Sequence, residues 1–285
     1  MVASPHGPPS WRAAAFHRGG SVPTYVDTHC HLDHHFDLAA GDQVEAARAA
    51  GVTTMITVGT DMASSTQAVQ TANRYEGVWA VVGIHPNDAM EATPQVLEVI
   101  DRLATQDVVV GIGETGLDYY RDHTTPQQQE ASFRRHIAMA KEHDLTLVIH
   151  CREAWDDCLA VLEDEVPPDR VVMHCFSGDE KVAAHCVERG YFMSFAGNVT
   201  FKNADELRAA AVVAPVELLL TETDSPYLTP DPHRGKPNDP AHIPHVLRRL
   251  AAVKGLGEDE LAATVLANAA RAFALPEDAS RSGDA

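Results

Sequence analysis

Two histidines separated by one residue are the first chemical signal in this sequence. Residues 26–31 read VDTHCH, which places Cys30 between His29 and His31. Alternate residues of a β-strand point to the same face, so both imidazoles are expected on one side of a strand. Two buried imidazoles are hard to satisfy with hydrogen bonds alone and easy to satisfy with a cation. The pair therefore indicates a metal site.

Further metal-binding residue types follow later apolar runs of the chain. They occur in the segments GETG, LTLVIHC, RVVMHC and VELLLTETDSP, each time at the end of a run. Clustered His, Asp and Glu side chains are the signature of a catalytic metal centre. The expected metal ligands are His29, His31, Glu114, His150, His174 and Asp224.

The number of ligands predicts two ions. One catalytic zinc needs three protein ligands and a water, and this set is larger. We expect Glu114 to bridge the ions, with His29, His31 and Asp224 on one and with His150, His174 and solvent on the other. Imidazole and carboxylate together suit Zn, Mn, Fe or Co better than Ca or Mg. Two ions about 3.5–4 Å apart are an arrangement that cleaves phosphoesters.

Two carboxylates are expected to take part in the chemistry. Asp224 follows the run VELLL and precedes Ser225 and Pro226, which stop the strand. We predict that Asp224 binds an ion and also acts as general base for the attacking water. Glu114 is the second expected catalytic residue. Glu222 lies two residues before Asp224, and we expect it to be a hydrogen-bonding partner of a ligand.

Eight apolar, β-branched runs alternate with helical segments and so predict the element order. Near-continuous apolar strands indicate a parallel sheet covered on both faces. The pattern predicts an α/β fold, a single (β/α)8 TIM barrel, in which strand ends open on one catalytic mouth. An open doubly wound sheet is the alternative, but the first strand lacks a Gly-rich dinucleotide loop. Expected helices include 126–143, 153–164, 203–213, 240–253 and 258–273.

The ends of the chain differ in composition from its middle. The first 23 residues are rich in Pro and Gly and contain no apolar core of a signal peptide. We expect a disordered extension at 1–23, a barrel domain at 24–275 and a flexible tail at 276–285. No run of 18 apolar residues occurs, so no membrane association is expected.

The five cysteines indicate a reducing compartment. Their number is odd and no C-x-x-C pair occurs, which argues against a disulfide framework. A cytoplasmic location is therefore expected. Cys30, Cys151 and Cys175 each follow an expected histidine ligand, and strand alternation predicts that they face the helices instead of the mouth.

The charge of the chain limits how it could hold a polyanion. With 22 basic and 41 acidic residues the formal net charge is −19, which argues against a broad basic face for duplex binding. A nucleic-acid substrate would have to be held locally. The expected substrate-binding residues are His85, His123, Arg152, Arg234 and Asn238.

The motifs DTHCH, GIHP, GETGLDYY, IHCREA, HCFSG and TETDSPYL together resemble the TatD-type metal-dependent deoxyribonucleases. The resemblance covers residues 24–273 and implies a barrel, two divalent ions (Mg, Mn or Zn) and 3′–5′ exonuclease activity on single-stranded DNA. The family's metal positions match the six expected ligands. The segment PHRGKPNDP matches a family loop at Arg234 and Asn238 but has Pro237 where a basic residue is common.

Other functions use the same kind of centre. D-aminoacyl-tRNA deacylation, which the resemblance implies for some members of the family, is the main alternative, and sequence spacing cannot separate it from DNA hydrolysis. A cyclic-amide amidohydrolase commonly has a carboxylated Lys at the end of strand four, where this chain has Glu114. A non-catalytic metal-binding scaffold would not need Asp224. DNA or aminoacyl-tRNA is the expected partner as substrate, and no obligate protein partner is inferred.

Overall fold

Eight parallel strands form the centre of the molecule, in the computed structural model that describes residues 23–34 and 37–276. The order of the strands in the sheet is their order in the chain. The strands, β1 to β8, are Tyr25–Cys30, Val52–Val58, Val78–Val82, Val109–Asp118, Thr146–Arg152, Val171–Met173, Phe192–Phe195 and Leu219–Thr221.

The last strand returns to the first and closes the barrel. The segment after β8 runs beside β1, where Asp224 N–H donates to His29 O at 2.9 Å and His31 N–H donates to Ser225 O at 2.8 Å. Thr28 Oγ1 also donates to Thr221 O at 3.1 Å. The predicted (β/α)8 barrel is thus confirmed.

Helices separate the strands and cover the outside of the barrel. Within the described residues, α1 to α9 are Ala40–Ala49, Met62–Arg74, Pro94–Ala104, Pro126–Glu142, Trp155–Glu165, Glu180–Glu188, Asp205–Val213, Ile243–Lys254 and Glu258–Ala272. Helix α4 begins as expected, because Thr125 Oγ1 accepts the Gln128 N–H and Pro126 occupies the first turn. The helix expected from residue 240 starts with a short 3-10 turn at Pro240–His242 instead.

The apolar core explains why the strands read as continuous hydrophobic runs. Val52, Met55 and Ile56 of β2 and Leu147 and Ile149 of β5 are fully buried, because helices cover one face and the barrel interior the other. None of the helices within the described ranges is long and apolar enough to cross a membrane. The expected extension and tail lie outside the described residues, except for Pro23 and Pro276.

Candidate metal centre

Strand β1 points two imidazoles into the barrel mouth. His29 and His31 are both buried. His31 Nδ1 lies 2.8 Å from Val58 O. A carbonyl oxygen only accepts, so Nδ1 carries the proton and Nε2 keeps its lone pair for the centre. That Nε2 lies 3.5 Å from Asp224 Oδ1.

Glu114 lies between two groups of histidines. Its Oε2 is 3.4 Å from His29 Nε2 and 3.9 Å from His31 Nε2. Its Oε1 is 2.9 Å from His150 Nδ1 and 3.2 Å from His174 Nε2. Each carboxylate oxygen thus faces a different pair of the expected histidine ligands, which is the geometry that a bridging ligand requires.

Glycines allow β4 to bring Glu114 to this position. Gly116 has a φ of +133°, and a Cβ there would lie 2.1 Å from His150 O. A larger residue would therefore push β5 away from β4. The register between these strands shifts between Ile112 and Thr115, which is the bulge that re-aims Glu114.

Glu222 orients His174 from beneath. The Glu222 side chain is fully buried, and its Oε1 lies 2.8 Å from His174 Nδ1. The same oxygen accepts the Cys175 N–H at 2.9 Å. Burial alone would lower the pKa of His174, but the Glu222 and Glu114 carboxylates raise it well above its usual value. Glu222 is therefore an ion-pair partner of a ligand histidine, and the hydrogen bond expected between the two stays a prediction.

His29 shows that the pocket suits a cation. Both of its ring nitrogens are buried and make no hydrogen bond within the described part of the chain. Its ring stacks on His174 with centroids 3.5 Å apart. Burial, followed by the charge of His174, lowers the pKa of His29 and keeps it neutral. A buried imidazole with an unused lone pair beside a carboxylate fits a divalent ion.

Asp224 reaches the centre from a left-handed backbone position. It lies three residues beyond β8 and has a φ of +52°, a conformation that Asp tolerates better than most residues. Burial would raise the pKa of Asp224, but His31 and then His174 hold it below its ordinary value. The carboxylate is therefore ionised at neutral pH.

The six expected ligands lie together in one cluster. Donor atoms of His29, His31 and Glu114 lie within 4.8 Å of one another, as do those of Glu114, His150 and His174. Asp224 belongs to a neighbouring group with His174 and Cys175. The two main groups share Glu114, as two ions with a bridging carboxylate would require.

Asp118 is a residue of the site that the sequence analysis missed. Its Oδ2 lies 3.1 Å from His150 Nε2, and its Oδ1 accepts the N–H groups of Tyr120 and Arg121 at 3.0 Å. Burial raises the pKa of Asp118, but these hydrogen bonds, led by His150, lower it to about 2. Strand alternation does not predict it, because the register of β4 shifts between Ile112 and Thr115 and Gly116 has a φ of +133°.

A cleft of about 700 Å³ opens above the centre. The expected substrate residues His85, His123 and Arg152 line it, together with Arg121. The Arg152 guanidinium lies over the Tyr120 ring, 3.7 Å from the ring centroid. The cleft therefore combines the expected ligands with donors for an anion.

Two other expected substrate residues do not line the cleft. Asn238 is fully buried, and its Nδ2 donates to Thr223 O at 2.8 Å and to Tyr227 O at 2.7 Å. Arg234 lies over the Phe201 ring, with its guanidinium 3.7 Å from the centroid. Asn238 thus fixes the backbone on both sides of Asp224, and Arg234 donates to Thr229 O at 3.2 Å.

The cysteines follow the expectation with one exception. Cys30 is buried, with its Sγ 3.4 Å from Ile56 O, and Cys151 is buried against Cys158 of α5. The prediction that Cys175 faces away from the mouth is wrong, because its Sγ lies within 4.8 Å of ligand atoms of His174 and Asp224. Strand β6 ends at Met173 and Cys175 has a φ of +43°, so strand alternation no longer sets its direction.

Comparison with known proteins gives consistent matches over the whole barrel. Residues 26–274 match the family model described as TatD related DNase. A protein of Mycobacterium tuberculosis named uncharacterized metal-dependent hydrolase TatD is 40% identical over 263 residues, which cover 88% of this chain and 98% of the relative.

A second relative carries a more specific name. The 3′–5′ ssDNA/RNA exonuclease TatD of Klebsiella pneumoniae is 39% identical over 243 residues, covering 82% of this chain and 92% of the relative. Among solved structures, the TatD homologue YJJV of Escherichia coli K12 superposes with a TM-score of 0.83 at 29% identity. That match covers 88% of this chain and 98% of the homologue.

Proposed function

Because the chain belongs to the TatD related DNase family and is a metal-dependent hydrolase, we propose that it removes nucleotides from the 3′ end of single-stranded DNA. The observation that carries this proposal is the position of Glu114, with each oxygen facing a separate pair of the expected histidine ligands. The Klebsiella relative, named as an exonuclease on single-stranded DNA and RNA, supports the same substrate class.

Two divalent ions per chain are the proposed cofactor. His29, His31, Glu114 and Asp224 would hold one ion, and Glu114, His150 and His174 the other, with magnesium, manganese and zinc as candidates. When bound, such ions lower the pKa of water and stabilise charge on phosphate oxygens. Glu114 would contribute to catalysis by binding both ions.

Asp224 is the proposed general base. Its carboxylate is ionised at neutral pH and faces the cleft, with Oδ1 3.5 Å from His31 Nε2. A carboxylate at this place can take the proton of the attacking water and orient that water toward phosphorus. Asn238 holds the backbone that carries Asp224, because its Nδ2 donates to the carbonyls of Thr223 and Tyr227.

Neutral and charged donors near the centre would hold the scissile phosphate. His85 Nδ1 accepts the Asn87 N–H at 3.0 Å, so the proton of the neutral ring is on Nε2, which faces the centre 3.5 Å from Glu114 Oε1. Burial lowers the pKa of His85 to about 3, which keeps it neutral. Arg152, with its planar fork of donors, supplies the positive charge.

Two exposed tyrosines at the cleft favour a single-stranded substrate. Tyr120 is 55% exposed beneath Arg152, and Tyr227 is 51% exposed beside His31. Unpaired bases can stack on such rings, whereas the bases of a duplex are not available for stacking. Local stacking also suits a chain with a net charge of −19, which repels a long polyanion.

The test is a side-by-side turnover assay with the metal-loaded protein. A 5′-labelled single-stranded oligonucleotide, the same strand with a blocked 3′ end, and D-tyrosyl-tRNA serve as substrates, and His150→Ala serves as a control for contaminating nuclease. We expect stepwise loss of 3′ nucleotides from the open strand only. Faster hydrolysis of D-tyrosyl-tRNA, or no hydrolysis of DNA, would overturn the proposal.

A further inference from the structure

A second group of histidines lies outside the cleft. His233, in the loop after β8, has its Nε2 3.1 Å from Nε2 of His245 in α8. The ring of His242 stacks on His233, with centroids 4.4 Å apart and planes inclined by 14°. None of the three lines the cleft described above.

Hydrogen bonds fix the His242 ring and thereby its neighbour. Asn238 Oδ1 accepts the Asp239 N–H at 3.0 Å, which identifies it as the amide oxygen. His242 Nδ1 lies 2.9 Å from that oxygen and therefore donates to it. A hydrogen bond from a ring N–H to an oxygen commonly orients metal-binding histidines. Here it fixes the His242 ring, on which the His233 ring stacks.

The surroundings of His242 and His245 favour their neutral form, which is the form that binds metal. Burial, then the proximity of His233, lowers the pKa of His242 to about 4 and also lowers the pKa of His245. Neutral imidazoles carry one lone pair each, so two facing Nε2 atoms can either share a single proton or bind one ion.

The spacing of the facing nitrogens fits an ion. Two Zn–N bonds of about 2.0–2.1 Å at a tetrahedral angle place the nitrogens about 3.3 Å apart. The observed 3.1 Å needs only a small adjustment. We propose that His233 and His245 form a transition-metal site, separate from the catalytic centre, that takes an imidazole-preferring ion such as Zn²⁺.

Surrounding charges permit a cation at this position. Arg248 lies near His245, but its charge is paired, because Nε and Nη2 contact Glu258 Oε2 and Oε1 at 3.0 and 3.1 Å. Lys236 lies near His242, and its positive charge contributes to the lowered pKa of that histidine. The Arg248–Glu258 ion pair has no net charge, and solvent would complete the coordination of the ion.

The site would join the loop after β8 to helix α8. His233 belongs to the loop and His245 to the helix, and Asn238 lies between them in the chain. Asn238 holds the carbonyls of Thr223 and Tyr227, on either side of Asp224. An ion on the pair would therefore stabilise the segment that carries Asp224, without contacting substrate.

Metal counting on the full chain tests the proposal. Wild type, His233→Ala/His245→Ala and the control His143→Ala/His185→Ala are equilibrated with the same free Zn²⁺ and analysed by mass spectrometry. The control removes two imidazoles that pair with Asp101 and Glu163 elsewhere on the surface. We expect one fewer zinc per chain in the first double variant only.

An equal zinc content in all three proteins would overturn the proposal, whatever their nuclease activity. Circular dichroism checks that the double variant is folded. If it is not, His233→Gln provides the test, because it keeps a polar side chain while removing one imidazole. A zinc content equal to wild type in His233→Gln, with zinc-dependent thermal stabilisation unchanged, also contradicts the site.

Discussion

The Nδ1 atom of His174 lies 2.8 Å from Oε1 of Glu222, a carboxylate with no exposed surface. This contact assigns different roles to the two ends of one imidazole. Nδ1 faces the buried carboxylate, and Nε2 faces Glu114 at 3.2 Å. A carboxylate behind a ligand histidine fixes its ring and increases its basicity. Metal affinity should therefore depend on Glu222, although it lies beneath the ligand.

Glu222→Gln should weaken metal binding. The amide keeps the size of the side chain but removes the negative charge behind His174, so affinity should fall about 10–100-fold. Titration of the metal-free protein with metal in a calorimeter measures this affinity. Glu217→Gln, the same change at an exposed position just before β8, is the control and should bind as wild type does. Unchanged affinity in Glu222→Gln would show that the contact does not support the centre.

Adjacent residues of β5 should respond differently to substitution. His150→Ala removes an expected ligand and should lower kcat by orders of magnitude. Cys151→Ala removes a sulfur packed against Cys158 and should cost about 1 kcal/mol of stability, with little effect on kcat. Steady-state kinetics and denaturant unfolding measure both. Equal losses of activity would mean that the faces of β5 are assigned incorrectly.

Arg152→Ala should weaken substrate binding without removing metal. The guanidinium lies over Tyr120 in the cleft, where it can hold phosphate. We expect a lower kcat/KM on single-stranded DNA, mainly through KM, with unchanged metal content. Arg135→Ala, at an exposed position of α4, is the matched control. Wild-type kinetics in Arg152→Ala would exclude this residue from the site.

Buried His136 should make stability depend on pH. Its Nε2 accepts the Ile84 N–H at 3.0 Å and its Nδ1 donates to Ser132 O at 2.8 Å, so the ring is neutral. Burial lowers the pKa of His136 from 6.5 to about 4. Between these values the unfolded chain binds a proton that the folded chain does not. The contribution of His136 to the free energy of unfolding is complete above pH 6.5 and falls by about 3 kcal/mol as pH drops to 4.

Denaturant unfolding at several pH values measures this effect. His136→Gln should be less stable at neutral pH, and its free energy of unfolding should decline less steeply between pH 6.5 and pH 4. The exposed pair of His143 with Asp101 makes His143→Gln a suitable control. If wild type and His136→Gln lose stability in parallel, protonation of His136 does not contribute.

Strand periodicity was enough to predict most of the centre. His29 lies in β1 and His31 directly follows it, two residues on, so both point into the mouth, and His150 lies in β5 as its apolar run indicates. The parallel order of the strands then brings these positions to one mouth. The fold and the expected ligand cluster follow from these two regularities.

Positions outside regular strand geometry could not be predicted in the same way. Asp118 was missed because β4 continues four residues past Glu114, beyond a shift in register. Cys175 turns into the cleft because its φ is positive after β6 has ended. Asn238 is buried because its amide binds two distant carbonyls. These features depend on long-range contacts, which the local sequence does not encode.

The rate of DNA cleavage by metal-loaded Asp224→Asn tests the central claim most directly. The substitution keeps the size of the side chain and one oxygen ligand but removes the base. In single-turnover experiments on a single-stranded oligonucleotide, with bound metal counted in the same preparation, we predict a rate at least about 100-fold below wild type. The protein should remain folded and retain at least one ion. Cleavage at a rate near that of wild type with the metals in place would contradict the account, because Asp224 would then be a ligand and not the base.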